Sequence, residues 1–124
     1  MLTKEQMMEF QKELLEERAQ VVKNIEEAKE HILIAQKQEP KDEGDLAILV
    51  SNADIDNRIM ERLYIELKEI DIALEKIKKG IYGVCEMCEE PIGIERLRVK
   101  PFAKYCISCR EVNEKEEFLA KKSK

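Results

Sequence analysis

Two long stretches of this chain contain neither glycine nor proline, and they restrict its fold more than any other feature. The first runs from about residue 3 to residue 38, and the second from about residue 46 to residue 79. The first consists mainly of Glu, Lys, Gln, Leu and Ala, which are strong helix formers. Each stretch therefore predicts one long α-helix.

Apolar side chains recur along both predicted helices at steps of three and four residues, the spacing of a coiled coil. In the second helix the repeat is unbroken, and in the first it is continuous if Arg18 is allowed within it. The first stripe comprises Leu14, Val21, Ile25, Ala28, Ile32 and Ala35, and the second comprises Leu63, Leu67, Ile70, Leu74 and Ile77.

Residues 39–45 interrupt the helical pattern and predict a reversal of the chain. Pro40 cannot continue a helix, Gly44 permits a turn, and Asp45 is a favoured N-cap for the second helix. The two helices should therefore pair antiparallel. Arms of about 35 residues, rising about 1.5 Å per residue, predict a hairpin on the order of 50 Å long. Its end at residues 39–47 is called the tip below.

Two C-x-x-C pairs separated by 17 residues are the strongest motif in the chain. This spacing suits two tight turns that place four thiolates around zinc, each at about 2.3 Å. Four thiolates fill the coordination shell, which predicts one structural zinc ion and no catalytic metal. A redox-active or disulfide-bonded set is the alternative, but no βαβ redox fold is predicted around it. The predicted ligands are Cys85, Cys88, Cys106 and Cys109.

Together these patterns predict a mainly α protein: a long antiparallel coiled-coil hairpin with a four-cysteine zinc finger at its base and a short C-terminal helix. We assign residues 1–79 to the hairpin and residues 80–109 to the finger. Residues 110–124 form the C-terminal helix and tail, with the helix expected from Arg110 to about Lys121.

The distribution of charge and apolar residues excludes several classes of function. Residues 1–79 carry 13 basic and 19 acidic side chains and residues 80–124 carry 9 and 8, so neither part is a basic patch for direct DNA binding. No apolar stretch approaches the length of a membrane span, which predicts a cytoplasmic protein. The only histidine, His31, lies within the first helix. We read it as a surface residue and predict no enzymatic activity.

Three carboxylates gather at the tip, on Asp42, Glu43 and Asp45. Such a cluster repels itself unless it meets a cation or a basic surface, although ordinary helix capping would also explain it. The consecutive apolar residues 48–50 cannot all face one partner helix, so one or two should be exposed. A contact surface for another protein or a frayed turn would account for them.

Further residues around these motifs point to a known family. Tyr82-Gly83-Val84 precede Cys85, the run 92–97 reads Ile-Gly-Ile-Glu-Arg-Leu, and the tip contains Asp-x-x-Asp-x-Ala at 42–47. With the cysteines and Pro101, this pattern resembles the DksA/TraR family of bacterial regulators that bind RNA polymerase. The resemblance covers residues 40–118 well.

The resemblance implies a function and roles for individual residues. The hairpin would enter the secondary channel of bacterial RNA polymerase and bring Asp42, Asp45 and Ala47 near its catalytic centre. The lifetime of promoter complexes would change without any bond being made or broken. The alarmone ppGpp often acts with such factors, and Lys100 and Arg110 match two basic side chains of its binding interface.

Three positions depart from the family pattern. Leu46 stands where longer members usually have Arg, Glu89 follows Cys88 where Gly is usual, and Glu69 occupies a position that is basic at the alarmone interface. Two alternative functions remain open on the sequence. One is action on stalled or backtracked elongation complexes, and the other is a redox-responsive zinc switch based on the four thiols.

Overall fold

A computed structural model describes residues 2–122 of the chain. It contains four helices: α1 (Lys4–Gln36), α2 (Glu43–Lys79), α3 (Ile94–Val99) and α4 (Ile107–Lys122). Within the described residues the only β pairing is an isolated bridge between Val84 and Pro91. The predicted mainly α class is confirmed. Over the same residues, no helix combines the length and the apolar character that crossing a membrane requires.

The described chain divides into two compact units. Residues up to Leu14 and from Ala73 onward form one, called the base unit here, and Leu15–Ile72 form the other, called the hairpin unit. Both long helices contribute to both units, because the first turns of α1 and the last turns of α2 group with the cysteine-containing segment.

Within the hairpin unit, α1 and α2 pair antiparallel. Arg18 contacts Asp71 (Nε to Oδ1, 2.7 Å), whereas His31, much later in α1, contacts Asp56, much earlier in α2 (Nδ1 to Oδ2, 3.5 Å). Residues later in α1 therefore contact residues earlier in α2, which means that the two helices run antiparallel. His31 is exposed, as the sequence predicts.

The apolar stripes of the two helices supply the core of the hairpin unit. Val21, Ile25 and Ile70 are its buried apolar side chains, and Leu63 and Leu67 are half-buried. Arg18, the polar interruption of the first stripe, is partly exposed and ion-paired with Asp71. An exposed pair of this kind contributes at most about 1 kcal/mol, so burial of the stripes is the main stabilising term.

The turn between the helices differs from the sequence prediction at its cap. Helix α2 begins at Glu43, and the residue before it, Asp42, is the N-cap: its Oδ1 accepts a hydrogen bond of 2.8 Å from the N–H of Asp45. The prediction that Asp45 is the N-cap is therefore wrong. Asp45 lies within the first helical turn, and its Oδ2 accepts from the N–H of Lys41 at 3.3 Å. The two carboxylates thus accept hydrogen bonds from backbone donors on either side of the helix start.

The base unit has its own small core, built from α1, α2 and the segment between α2 and α4. The ring of Tyr82 lies 5.5 Å from that of Phe10, centroid to centroid, and the Tyr82 hydroxyl donates to the carbonyl of Pro101 at 2.9 Å. Burial raises the pKa of Tyr82 well above its ordinary value, and the Glu13 carboxylate raises it further, so the phenol stays a neutral donor. The buried residues of this unit are Phe10, Leu14, Ala73, Tyr82, Cys85, Ile92 and Leu97.

Two short helices complete the base unit. Helix α3 follows Gly93, whose φ of 102° belongs to the left-handed region, and it buries Leu97. This helix was not predicted from the sequence. Helix α4 begins at Ile107, three residues before the predicted start at Arg110, so Cys109 lies within its first turn.

Replacing Tyr82 by Phe tests the internal bracing of the base unit. The change keeps the ring against Phe10 but removes the donor to the Pro101 carbonyl. Leaving a part-buried acceptor unpaired costs about 1–3 kcal/mol, so the free energy of unfolding of the zinc-loaded protein should fall by roughly 1–2 kcal/mol in urea denaturation. Tyr64→Phe, at a side chain that is 46% exposed, is the matched control and should leave stability unchanged. Equal midpoints for the two variants would contradict this assignment.

Candidate metal centre

Four cysteine sulfurs form a compact cluster in the base unit. The sulfur atoms of Cys85, Cys88, Cys106 and Cys109 all lie within 4.8 Å of one another, and those of Cys88 and Cys106 are 3.9 Å apart. None of the four forms a disulfide. A tetrahedral zinc site with bonds of about 2.3 Å requires sulfur atoms about 3.8 Å apart. The cluster therefore has the dimensions of a four-thiolate zinc site.

Backbone hydrogen bonds close the turn that carries Cys85 and Cys88. The N–H of Cys85 donates to the carbonyl of Glu90 at 2.8 Å, and the carbonyl of Cys85 accepts from the N–H of Glu89 at 3.0 Å. Glu89 has a φ of 63°, in the left-handed region where a side chain costs about 1–2 kcal/mol. The departure from Gly noted in the sequence thus falls at a strained position, and the turn forms in spite of it.

Gly83 sets the backbone just before this turn. Its φ is 84°, and a Cβ atom there would lie 3.0 Å from Leu2 Cδ1 and 3.1 Å from Leu97 Cδ1. Its carbonyl accepts from the N–H of Ile92 at 2.8 Å, which brings the residues after the first cysteine pair back alongside those before it. A side chain at position 83 would therefore disturb both the backbone conformation and the packing under the site.

The second cysteine pair lies at the start of α4. Cys106 immediately precedes the helix, and its carbonyl accepts from the N–H of Arg110 at 2.9 Å. The segment leading to Cys106 is joined to the first turn by the N–H of Glu86, which donates to the carbonyl of Lys104 at 2.8 Å. The second cysteine pair is thus positioned by the first turn of α4 and by the backbone hydrogen bond from Glu86.

The electrostatics of the cluster favour a bound cation. Burial raises the pKa of Cys85, but hydrogen bonds from the N–H groups of Cys88, Cys106 and Met87 outweigh it and lower that pKa to about 6. The pKa of Cys109 is raised to about 12 by its hydrogen bond with Cys106 and by burial. One thiol ionises readily, while the last holds its proton among neighbouring sulfurs. A divalent ion would neutralise the charge of the thiolates and so would allow all four cysteines to ionise.

The other residues singled out by the sequence lie on the surface of one unit or the other. At the tip, in the hairpin unit, Asp42 and Ala47 are exposed and Asp45 is half-buried. In the base unit, Lys100 is exposed, and Arg110 is partly exposed with its Nε 3.0 Å from Glu114 Oε1.

Sequence reasoning assigned no role to the side chain of Arg96. Its Nε donates to the carbonyl of Tyr105 at 3.0 Å, directly before Cys106. Arg96 lies within the run 92–97 that carries the family resemblance, which is the one sequence signal that pointed to it.

Comparison with known proteins supports a zinc site in this segment. The prokaryotic DksA/TraR C4-type zinc finger matches residues 80–115. That finger type and the four clustered cysteines indicate one structural zinc ion as the cofactor.

Two curated relatives extend the similarity over almost the whole chain. An uncharacterised protein of Aquifex aeolicus is 35% identical over 117 residues, which cover 93% of this chain and 81% of that protein. The RNA polymerase-binding transcription factor DksA of Caulobacter vibrioides is 28% identical over 115 residues, which cover 92% of this chain and 75% of that protein.

A solved structure extends the similarity to the fold. Transcription factor DksA2 from Pseudomonas aeruginosa superposes with a TM-score of 0.83 at 35% sequence identity, covering 92% of this chain and 87% of that one. Sequence identity at this level over most of both chains indicates common ancestry as well as a common fold. The chain therefore belongs to the DksA/TraR family.

Proposed function

We propose that this protein is a transcription regulator that binds bacterial RNA polymerase directly and alters the stability of promoter complexes. Support comes from relatives named RNA polymerase-binding transcription factors that match it well beyond the zinc finger. The four thiols also support a structural metal site and not a catalytic one. When all of them bind zinc, no coordination position is left for water or a substrate.

The tip is the part of the molecule that we assign to the polymerase active centre, reached through the secondary channel. One observation carries this proposal: each carboxylate accepts a backbone hydrogen bond at the start of α2, Asp42 from the N–H of Asp45 and Asp45 from the N–H of Lys41. A negative charge held in place at the end of a hairpin can reach into a channel and act on a cation or a basic surface there.

Apolar side chains beside these carboxylates support contact with a protein surface. Leu46, Ile48 and Val50 are 50%, 60% and 62% exposed. The sequence analysis expected one or two exposed apolar residues in this run, and the structure shows Ile48 and Val50 exposed and Leu49 half-buried. Ala47 adds a small side chain that lets another backbone approach closely. Such mixed apolar and charged surfaces are typical of protein interfaces.

We also propose that ppGpp acts with this protein through Lys100 and Arg110. Lys100 is exposed and free to meet a phosphate group, whereas the charge of Arg110 is partly offset by its contact with Glu114. Lys100 should therefore contribute more to the response. Glu69 stands at a position where the resemblance implies a basic residue, and a carboxylate repels a polyphosphate.

Converting the tip aspartates to asparagine tests the channel mechanism. Asn keeps the oxygen that caps the helix, so folding should be intact, while the negative charge is lost. Surface substitutions of this kind shift the free energy of unfolding by about 0.5 kcal/mol or less, so both variants should be as stable as the parent. We expect Asp42→Asn and Asp45→Asn to lose the effect of the parent on open-complex lifetime.

The matched control for these variants is Asp54→Asn, an exposed carboxylate elsewhere on α2, which should behave as the parent. Normal regulation by both tip variants would refute the mechanism. Stimulated cleavage of backtracked RNA by the parent, lost in the tip variants, would instead identify an elongation factor.

The alarmone proposal predicts a separate effect of Lys100→Ala. Losing one charge-assisted hydrogen bond to a phosphate costs about 1.5–3 kcal/mol, so the ppGpp concentration for half-maximal effect should rise about tenfold or more. Lys115→Ala, at an exposed position of α4, should leave it unchanged. A parent protein that regulates equally with and without ppGpp would exclude the alarmone from its function.

We further propose that all four cysteines bind the zinc ion, and serine substitutions test each of them. Structural zinc contributes about 10–16 kcal/mol of binding free energy in zinc-finger peptides, so losing a ligand should release the ion and lower the thermal midpoint of the protein. Zinc content by mass spectrometry should fall in Cys85→Ser and Cys106→Ser. Ser108→Ala lies between two ligands and is the control, with unchanged zinc. One equivalent of zinc in a Cys→Ser variant would remove that residue from the ligand set.

A further inference from the structure

Two successive backbone carbonyls just before Cys106 accept hydrogen bonds from two different parts of the base unit. The carbonyl of Lys104 accepts from the N–H of Glu86 at 2.8 Å, and the carbonyl of Tyr105 accepts from Nε of Arg96 at 3.0 Å. The backbone that leads into the second cysteine pair is therefore held at two consecutive points, one from the first cysteine turn and one from α3.

The two cysteine turns are supported in different ways. The turn at Cys85 is closed by backbone hydrogen bonds to its own residues Glu89 and Glu90, so its geometry depends little on side chains. A contact between Lys76 Nζ and Glu86 Oε1 at 2.7 Å adds to it from α2. The carbonyl of Tyr105, directly before Cys106, instead accepts from a side chain, that of Arg96 on α3. Removing that side chain frees the Tyr105 carbonyl without altering any backbone group.

Helix α3 aims the Arg96 side chain. Leu97 is 1% exposed, and its methyl group lies under Gly83 beside the first cysteine turn. Neighbouring side chains on a helix point about 100° apart, so burying Leu97 fixes the direction of Arg96. The carbonyl of Arg96 accepts from the N–H of Lys100 at 2.7 Å, which closes the short helix.

We infer that Arg96 is a positioning residue for the zinc site, and that its hydrogen bond to the Tyr105 carbonyl holds Cys106 and Cys109 in place around the ion. The inference rests on the ligand assignment proposed above. A guanidinium is always charged and rigidly planar, so it forms a stronger and more directional hydrogen bond to a carbonyl than a neutral donor. Groups that hydrogen-bond to metal ligands themselves typically contribute about 10- to 100-fold in metal affinity, and Arg96 acts on the peptide group next to a ligand. Arg96 therefore slows the loss of zinc without touching the ion.

The rate of zinc transfer from the full-length, zinc-loaded protein to excess 4-(2-pyridylazo)resorcinol tests the inference. Arg96→Met keeps a stem of similar length without the donor and should release zinc about 10- to 100-fold faster. Arg96→Lys restores a charged donor and should recover part of the loss. Arg98→Met, at an exposed neighbouring position on α3, is the matched control and should release zinc at the parental rate.

Tyr82→Phe separates positioning from general stability. It weakens the same unit through the Pro101 carbonyl, away from the second cysteine pair. We expect its zinc release to stay near that of the parent. Comparable acceleration in Tyr82→Phe and Arg96→Met would show that Arg96 acts only through stability, and the inference would fail. The inference would also fail if Arg96→Met, like Arg98→Met, released zinc at the parental rate.

The absorption spectrum of the cobalt-substituted proteins gives a readout that overall stability does not move. Arg96→Met should alter the ligand-field bands of tetrahedral cobalt, and Arg98→Met should not. An unchanged spectrum in Arg96→Met would overturn the inference. If Arg96→Met does not fold, Arg96→Gln, which stays polar but lacks the guanidinium, decides by the same two measurements, and parental values in that variant would refute the role. Absence of zinc from the parent itself would refute the ligand assignment instead, so the two failures are distinguishable.

Discussion

The gathering of four cysteine sulfurs within 4.8 Å is the constraint on which the base unit depends. Between α2 and α4 the chain has one helix of six residues, and its buried apolar side chains are few. A segment with so little buried surface rarely holds a unique structure without a cross-link. With the four cysteines as ligands, as proposed above, zinc would supply that cross-link, because the ion would neutralise the charge of four adjacent thiolates.

The tip solves a different problem with carboxylates. A helix that begins at an exposed turn leaves backbone N–H groups without partners, and Asp42 supplies an acceptor for one of them, while Asp45 accepts from Lys41 just before the helix. The same oxygens remain at the surface, where we assign them to the polymerase active centre. The fold and the proposed function therefore depend on the same side chains. A replacement that keeps the capping oxygen but removes the charge separates the functional role from the structural one.

The sequence predicted the features that depend on periodicity and on strict chemical spacing. Long runs without Gly or Pro gave both long helices, and the cysteine spacing gave the cluster. Choosing the N-cap failed because Asp42 and Asp45 both suit it, and only the backbone geometry shows which one precedes the first helical residue. Helix α3 escaped prediction because six residues are too few to establish a period, and its start depends on the left-handed conformation of Gly93.

The role inferred for Arg96 was also out of reach of the sequence, because its partner is a backbone carbonyl nine residues away. Every residue has a backbone carbonyl, so the sequence does not indicate which carbonyl accepts a side-chain hydrogen bond. Ion pairs across the hairpin, such as that of Arg18 with Asp71, are equally invisible until the register of the two helices is known.

Cys109 lies in the first turn of α4, a helix of 16 residues whose side chains are mostly exposed. Starting a helix is unfavourable, and helices of about this length are marginal in water unless something fixes their first turn. Coordination of the two cysteines that flank Ile107 and Ser108 would fix that turn at the metal. Zinc would then act as the nucleus of α4. Loss of the ion would unfold not only the residues around the four cysteines but also the rest of this helix.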